Sequence, residues 1–478
     1  MIKPRESAAE FRSFRDPAGR VMRNGGRILR TVHSSSVPEF EEFLSTPAAR
    51  QMMDGGKLIR SVRVPGEEVG LAEDGSAVYE HERISFPSYP HEWPSEMLHA
   101  AGNLTIDLFR ESLEAGFGLK DATPFNVLFR GPVPVFTDVL SFERREAKDA
   151  TWMAYAQFVR TFLLPLMGDR YFGWRPYALF ATNREGLEPE NIYHWAVLGR
   201  RLTPLFFQLV TLPVWMSRWA RSETYRKRTL PSADQANFVL GRVLRSCEKQ
   251  LRQLEPSAKA DSTWSGYLDH KSLYSAAQLA QKEAFVREAL ELARPRHVLD
   301  VGANEGYFSF LAARQDASVV AIDSDPVVTG KIWREASREG LDVLPLVMDL
   351  ARPTPGLGWR NQECESFLDR AKALPGGGFD LVMMLAVIHH MMVTERVPLQ
   401  ELMDLVADLT TEYALIEFVA PADPMFERIV RGREEMYSHL TFAGFEAAAL
   451  PHFEVVKSLK LDGLERCLYL LRRRHAAN

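Results

Sequence analysis

The sequence predicts an α/β fold, a seven-stranded sheet over the rear of the chain, preceded by a separate α+β unit. Three observations predict it. The apolar run Val298 to Val301 breaks into a glycine-bearing turn, Gly302 to Gly306, and then into a helical pattern carrying Phe308, Phe310 and Leu311. Further apolar runs follow in series, Ser318 to Ile322, Val343 to Met348, Asp380 to Leu385 and Tyr413 to Val419, and Asp323 and Asp349 close the first two. The length, 478 residues, exceeds one ordinary core, and the front half has its own rhythm of hairpins and a long helix.

Small residues in a strand-to-helix turn let a ligand lie against the backbone, and free N–H groups at a helix start favour a carboxylate or phosphate. Asp323 follows Asp300 by 23 residues, where an acidic side chain meets a ribose in dinucleotide folds. A nucleoside ligand is therefore expected. This ordered series resembles the class I methyltransferases that use S-adenosylmethionine, over residues 290 to 478. The resemblance implies a Rossmann-like domain that ends in an antiparallel hairpin. It assigns the methionine part of the cofactor to the turn with Asp300, Gly302 and Gly306, the ribose hydroxyls to Asp323 and the adenine amino group to Asp349. The middle glycine of the family's Gly-x-Gly-x-Gly is Asn304 here, a residue that tolerates left-handed backbone better than most.

By the same resemblance, the loop after the fourth strand, with His389 and His390, borders the transferred methyl. Glu417, at a strand's carboxyl end, falls on the acceptor side. Methyl transfer from a sulfonium is an in-line displacement in which alignment supplies much of the rate. A base is needed only for a protonated acceptor, and His389, His390 and Glu417 are the candidates. Each has an alternative role: one member of a His pair packed, and Glu417 bonded to a backbone amide. Asp380 reads as a fold residue. No further ligand stands at zinc spacing from the histidines, so no metal is expected in this domain.

Apolar content of 46% and charged content of 25% are globular values, and a net charge of −5 argues against a protein dedicated to nucleic acid. Cys247, Cys364 and Cys467 form neither a disulfide framework nor a zinc pattern and fit a reducing compartment. The opening residues carry no apolar core, and Leu202 to Met216, the longest apolar stretch, is interrupted by Pro204, Gln208 and Pro213. A cytoplasmic protein is expected.

In the front half, Arg20 to Val32 reads as a hairpin around Asn24 to Gly26, Glu39 to Met53 as one helix, Lys57 to Val64 and Val78 to Ile84 as strands, and Ser95 to Gly116 as a long core helix. Then comes Leu119 to Asn126, an apolar Val127 to Phe129, a Gly131-Pro132 turn and Val135 to Asp138. This order resembles protein kinases and small-molecule phosphotransferases. The resemblance puts the family's base on Asp121 and its metal-binding residues on Asn126 and Asp138, with ATP and magnesium as the implied ligands. The chain departs from the pattern: there is no glycine-rich phosphate loop, no Val-Ala-Ile-Lys strand, and Val139 and Leu140 follow Asp138. Arg27, Arg30 and Lys57 remain as phosphate contacts, and a catalytically degenerate domain stays open.

Leu202 to Met216 runs into Arg218, Arg221, Arg226, Lys227 and Arg228. A buried helix leading to a solvated basic face is one reading, and peripheral membrane contact through residues 202–228 the other. A basic helix, Asn237 to Leu254, is expected between two linkers, and Val393 to Leu409 as a helix after the fourth strand. Trp264 to Ser275, with Tyr267 and Tyr274, reads as a lead-in to the cofactor strand, packed or closing over the site.

The expected organisation is a flexible lead-in (1–18), a kinase-like α+β domain (19–235), a helical linker and lid (236–290) and a methyltransferase domain (291–478). The function expected is methyl transfer from S-adenosylmethionine to a small molecule or biosynthetic intermediate, with the front domain binding acceptor or nucleotide. The alternatives are a bifunctional methyltransferase and phosphotransferase, or a front half serving as a scaffold or membrane-docking module.

Overall fold

The computed structural model describes the chain except residues 1–14, 72–74, 218–228, 259–261, 263–273, 431, 438 and 475–478. Most of the lead-in, Tyr267 and the basic run from Arg218 to Arg228 therefore lie outside the described residues. The chain forms two compact units. The first comprises Met1–Phe129, Pro134–Pro256 and Gly356–Glu365; the second comprises Arg130–Val133, Ser257–Pro355 and Ser366–Asn478.

The first unit opens with four antiparallel strands, β1 (Gly19–Asn24), β2 (Arg27–Val32), β3 (Ser61–Val64) and β4 (Ala77–His81), in the order β1-β2-β4-β3. Between β2 and β3 the single helix expected over residues 39–53 is two, Val37–Ser45 and Pro47–Asp54. Thr46, extended ahead of Pro47, ends the first and caps the second by accepting the Ala49 N–H at 3.1 Å. β3 is shorter than expected because residues 57–59 pair with Phe136 instead of β4. Helix Ser95–Glu114 buries Met97, Leu98, Leu108 and Phe109. It leads into β5 (Phe117–Leu119), the short strands β6 (Val127–Arg130) and β7 (Val133–Phe136), and β8 (Phe142–Arg144), which pairs with β5.

Short helices follow, and the unit is closed by helix Ala233–Gln253. That helix was expected to belong to a linker. It instead buries Ala236, Leu240, Leu244 and Leu251, and its Leu251 carbonyl bonds His99 Nε2 at 3.1 Å on the long helix, so the boundary between units falls at 256/257.

The second unit is a seven-stranded sheet in the order β11-β10-β9-β12-β13-β15-β14. Its strands are β9 (His297–Val301), β10 (Ser318–Asp323), β11 (Val343–Val347), β12 (Phe379–Met384), β13 (Thr410–Val419), β14 (Phe453–Lys460) and β15 (Arg466–Arg473). The first five run parallel and the last two antiparallel, as expected for five parallel strands and a terminal hairpin. Strands covered on both faces should be continuously apolar, and Val298, Leu299, Leu381, Val382, Met383 and Met384 are all fully buried. Asp380 is a fold residue: its Oδ2 accepts the N–H groups of Arg296 and His297, both at 2.8 Å. The helix expected over residues 393–409 is split into Ile388–Val393 and Leu399–Leu409, because Pro398 starts the second and Arg396 sits at φ +57°.

A buried charge network joins helix Ala276–Ala293 to the sheet. Lys282 Nζ lies 2.7 Å from Glu417 Oε2 on β13, and Tyr274 Oη donates to Glu417 Oε1 at 2.5 Å. Arg466 on β15 donates to Tyr274 Oη at 2.5 Å and to both oxygens of Asp423 at 2.8 and 3.1 Å. Arg466, Glu417 and Asp423 are almost wholly buried. Removing one member strands the others: Arg466→Ala should cost about 3–5 kcal/mol, read as a lower urea midpoint. Arg472→Ala, in the exposed pair with Glu454, should leave the midpoint unchanged.

Candidate active site

A cavity of about 290 Å³ opens at the carboxyl ends of the parallel strands, where the strand order turns back between β9 and β12. The turn after β9, the end of β10, Asp349 after β11 and the loop after β12 all reach it.

The turn after β9 is held open by backbone geometry. Gly302, Asn304 and Gly306 have φ of +68°, +51° and +82°. A Cβ on Gly302 would stand 2.9 Å from Val387 Cγ2 in the loop after β12, so only glycine permits this approach. Asn304 takes the left-handed conformation expected of it, its Oδ1 accepting the Glu305 N–H at 2.7 Å. Facing the turn, Ala386 also carries a positive φ, +57°, which for a non-glycine residue is strained.

Asp323 ends β10 with its Oδ2 accepting the Asn304 N–H and its Oδ1 the Asp325 N–H, both at 2.9 Å. Each oxygen keeps a lone pair for a hydroxyl in the cavity. Burial holds this carboxyl above its ordinary range, with the amide donors pulling it back. Asp300 is 3% exposed, and Ser309 Oγ donates to its Oδ2 at 2.6 Å. Asp349 accepts the Ala351 N–H at 2.9 Å and approaches Arg352 at 3.2 Å. Asp300, Gly302, Asn304, Asp323 and Asp349 all line the cavity; Gly306 lies just behind, where a Cβ would meet Ile332 and Phe310.

The three candidate bases are not brought together. His390 lines the cavity, and burial lowers its pKa, which favours the neutral ring. His389 is 2% exposed, lies outside the lining, and packs its ring against His390 and Phe426. Burial, then His390 and the nearby Arg466 and Lys282, keep it neutral. Glu417 also lies outside the lining, fully buried, with Lys282 and Tyr274 on its oxygens. The expectation of a base at His389 or Glu417 is thus corrected: neither side chain reaches the cavity.

Lys282 was missed as a site residue. It is 3% exposed, lines the cavity, and holds its ammonium over the Tyr274 and Phe308 rings at 4.8 and 5.1 Å. The signal was present: Lys282 falls on the apolar stripe with Phe285, Val286, Ala289 and Leu290, where a lysine is buried only with a partner.

In the first unit, Ser141 Oγ donates to Asp138 Oδ2 at 2.5 Å and accepts from Asn126 Nδ2 at 3.2 Å. The other Asp138 oxygen meets Arg30 at 3.0 Å, and Arg30 is itself held by His81 Nε2 at 3.0 Å. Burial, then Arg30, pushes His81 down to about 3. Asp121 is held above the carboxylate range by burial and then by Asp138. Among the described residues no three His, Cys, Asp or Glu side chains are grouped to hold a metal ion. The three expected phosphate contacts are all engaged, Arg27 with Glu80, Lys57 with Glu111 and Arg30 with Asp138.

With this geometry in hand, a family described as a methyltransferase domain matches residues 270–466. The chain is an S-adenosylmethionine-dependent methyltransferase. Nodulation protein NoeA of Rhizobium meliloti (strain 1021) is 29% identical over 469 residues, 96% of this chain and 95% of that protein. Among solved structures, N-methyltransferase NodS of Bradyrhizobium japonicum WM9 with S-adenosyl-L-homocysteine is 14% identical, at a TM-score of 0.33 over 47% of this chain and 98% of that one. The bifunctional kinase-methyltransferase WbdD is 20% identical, at a TM-score of 0.28 over 43% of this chain and 41% of that one. Likenesses that slight carry no argument.

In this methyltransferase the Asp300 carboxyl should titrate visibly. Burial lifts it to about 7, opposed by the Ser309 hydroxyl and then Lys282. Between the ordinary value, near 3.8, and about 7 the folded protein binds the extra proton. The associated stability is full below that window and lost as pH rises through it. The stability of wild type relative to Asp300→Asn should therefore fall across the window. Urea midpoints of both proteins check this, and a constant difference would contradict it.

Proposed function

We propose that the chain transfers a methyl group to a small molecule or biosynthetic intermediate, with its cofactor in the cavity at the ends of β9, β10, β11 and β12. The observation that carries the reading is Asp323, which pins the glycine turn and still presents its carboxylate to the cavity. The residues fit the cofactor: an acid for ribose hydroxyls, an acid at Asp349 for an amino group, and a turn too tight for side chains. Bound S-adenosylmethionine supplies a methyl group on a sulfonium with a neutral thioether as leaving group.

In this reading the chain's own residues bind and align. Asp323 fixes the sugar, and Asp300 with Gly302, Asn304 and Gly306 shapes the place of the methionine part. Lys282 adds a buried positive charge where a carboxylate is to be met. Val387 and Met391 wall the cavity against water, and His390 is placed to accept a proton from the acceptor when the acceptor carries one. Isothermal calorimetry with S-adenosylhomocysteine tests the assignment. Asp323→Ala should weaken binding about 10- to 100-fold, the loss of charge-assisted hydrogen bonds. Unchanged affinity would defeat it.

For the first unit, the kinase-like reading is supported by the succession of hairpin, long helix and loop, and by Asn126 and Asp138 meeting through Ser141. The degenerate form is favoured by Arg30, a resident cation on the Asp138 carboxylate where magnesium would be needed. The unit then holds acceptor or nucleotide without transferring phosphate. NoeA matches this chain across both units, which supports their acting together. The purified chain should show no magnesium-dependent ATP turnover. Turnover that disappears in Asp138→Ala would instead establish the bifunctional reading.

A further inference from the structure

We infer that the first unit docks on an anionic membrane surface, through the wall of short helices over residues 189–217 and the adjoining face of helix Ala233–Gln253. Among the described residues nineteen large apolar side chains are exposed, and seven of them fall within the 22 residues from Trp195 to Met216. Trp195, Val197, Leu198 and Leu202 are 61–73% exposed, and Trp215 and Met216 are exposed as well. The segment is not loose, since Ile192, Leu205, Phe206, Leu209 and Val210 are buried beneath it. The buried helix expected over residues 202–216 is thus found only in its middle.

The exposed side chains come from helices bound to one another. Trp215 Nε1 donates to Tyr193 Oη at 3.4 Å, Ser217 Oγ donates to Glu190 at 3.1 Å, and the Arg201 guanidinium sits 4.0 Å over the Tyr193 ring. Helices Pro189–Trp195, Leu198–Arg201 and Leu212–Ser217 are thus held together, and each carries exposed apolar side chains or is flanked by them.

Charge decides what covers this wall. Over residues 189–217 Glu190 is the one acidic residue, bonded by Ser217, against Arg200 and Arg201, and Arg218 and Arg221 follow in the sequence. Next to Leu202, a groove along Pro204, Leu205 and the 63%-exposed Phe238 is lined by Arg242, Arg245 and Lys249 and by no acidic residue. None of these three cations meets a carboxylate among the described residues. Apolar side chains with tryptophans, backed by unpaired cations, match the boundary between acyl chains and anionic headgroups. No helix among the described residues is long and apolar enough to cross a membrane, so the contact is one of surface docking.

Co-sedimentation of the full chain with phosphatidylcholine vesicles, with and without phosphatidylglycerol, tests this. Binding should appear with phosphatidylglycerol and be weaker by about tenfold or more without it. Val197→Glu with Leu198→Glu, and separately Arg242→Gln, Arg245→Gln and Lys249→Gln together, should each lower the bound fraction by about tenfold. The urea midpoint and far-UV circular dichroism should be the same in both variants, which reports that they fold, and unchanged S-adenosylhomocysteine affinity keeps this test apart from that of the cofactor site. Three results would overturn the proposal: no sedimentation with either vesicle, binding that both variants retain, or self-association that Val197→Glu with Leu198→Glu dissolves while vesicles bind nothing.

Discussion

One hydrogen bond, from the Asn304 amide to the Asp323 carboxylate, organises the carboxyl edge of the rear sheet. It ties the turn after β9 to the end of β10, beside the point where the strand order reverses. A buried carboxylate is costly unless its oxygens are satisfied, and the Asn304 and Asp325 amides satisfy them. The left-handed backbone at Gly302, Asn304 and Gly306 turns the amide toward that carboxylate. Across the cavity, Val387 packs where a Gly302 side chain would stand. The cavity is thus shaped by backbone conformations that few residue types can adopt, and its chemistry follows from two or three acids placed at strand ends.

Stability and site share a second feature, the network around Glu417. Two cations and two carboxylates are buried together, so each neutralises a neighbour in a medium where an unpaired charge would be untenable. Lys282 belongs both to this network and to the cavity wall. Its charge, with that of Arg466, also disfavours protonation of His389, while burial does most to keep that ring neutral. Of the three candidate bases only His390 faces the cavity, which suits a reaction governed by alignment.

The front unit solves a different problem with the same means. Asp138 is neutralised by Arg30 from β2, and Arg30 is positioned by a histidine that burial leaves uncharged. The desolvation of the buried Arg30 guanidinium is offset by the Asp138 carboxylate and the His81 ring on its nitrogens. The unit is a stable platform on those terms, and its apolar wall lies on helices well removed in sequence from this pair.

Much of the rear fold was legible because its signals are local. Alternation, apolar runs and glycine turns report strands and their ends, and the acids at Asp323 and Asp349 follow directly on their strands. Helix ends failed where proline chemistry intervened, at Thr46-Pro47 and at Pro398, and the domain boundary failed because a basic surface on helix Ala233–Gln253 masked its buried stripe. By itself the sequence determined the succession of strands along the chain, the turn that needs left-handed backbone and the acids that border it, since each depends on neighbours along the chain. Only the tertiary structure decided which side chains face the cavity. It turned His390 inward and His389 and Glu417 away, and it brought Lys282 to Glu417 across 135 residues, because burial and charge pairing are settled between segments that no local pattern connects.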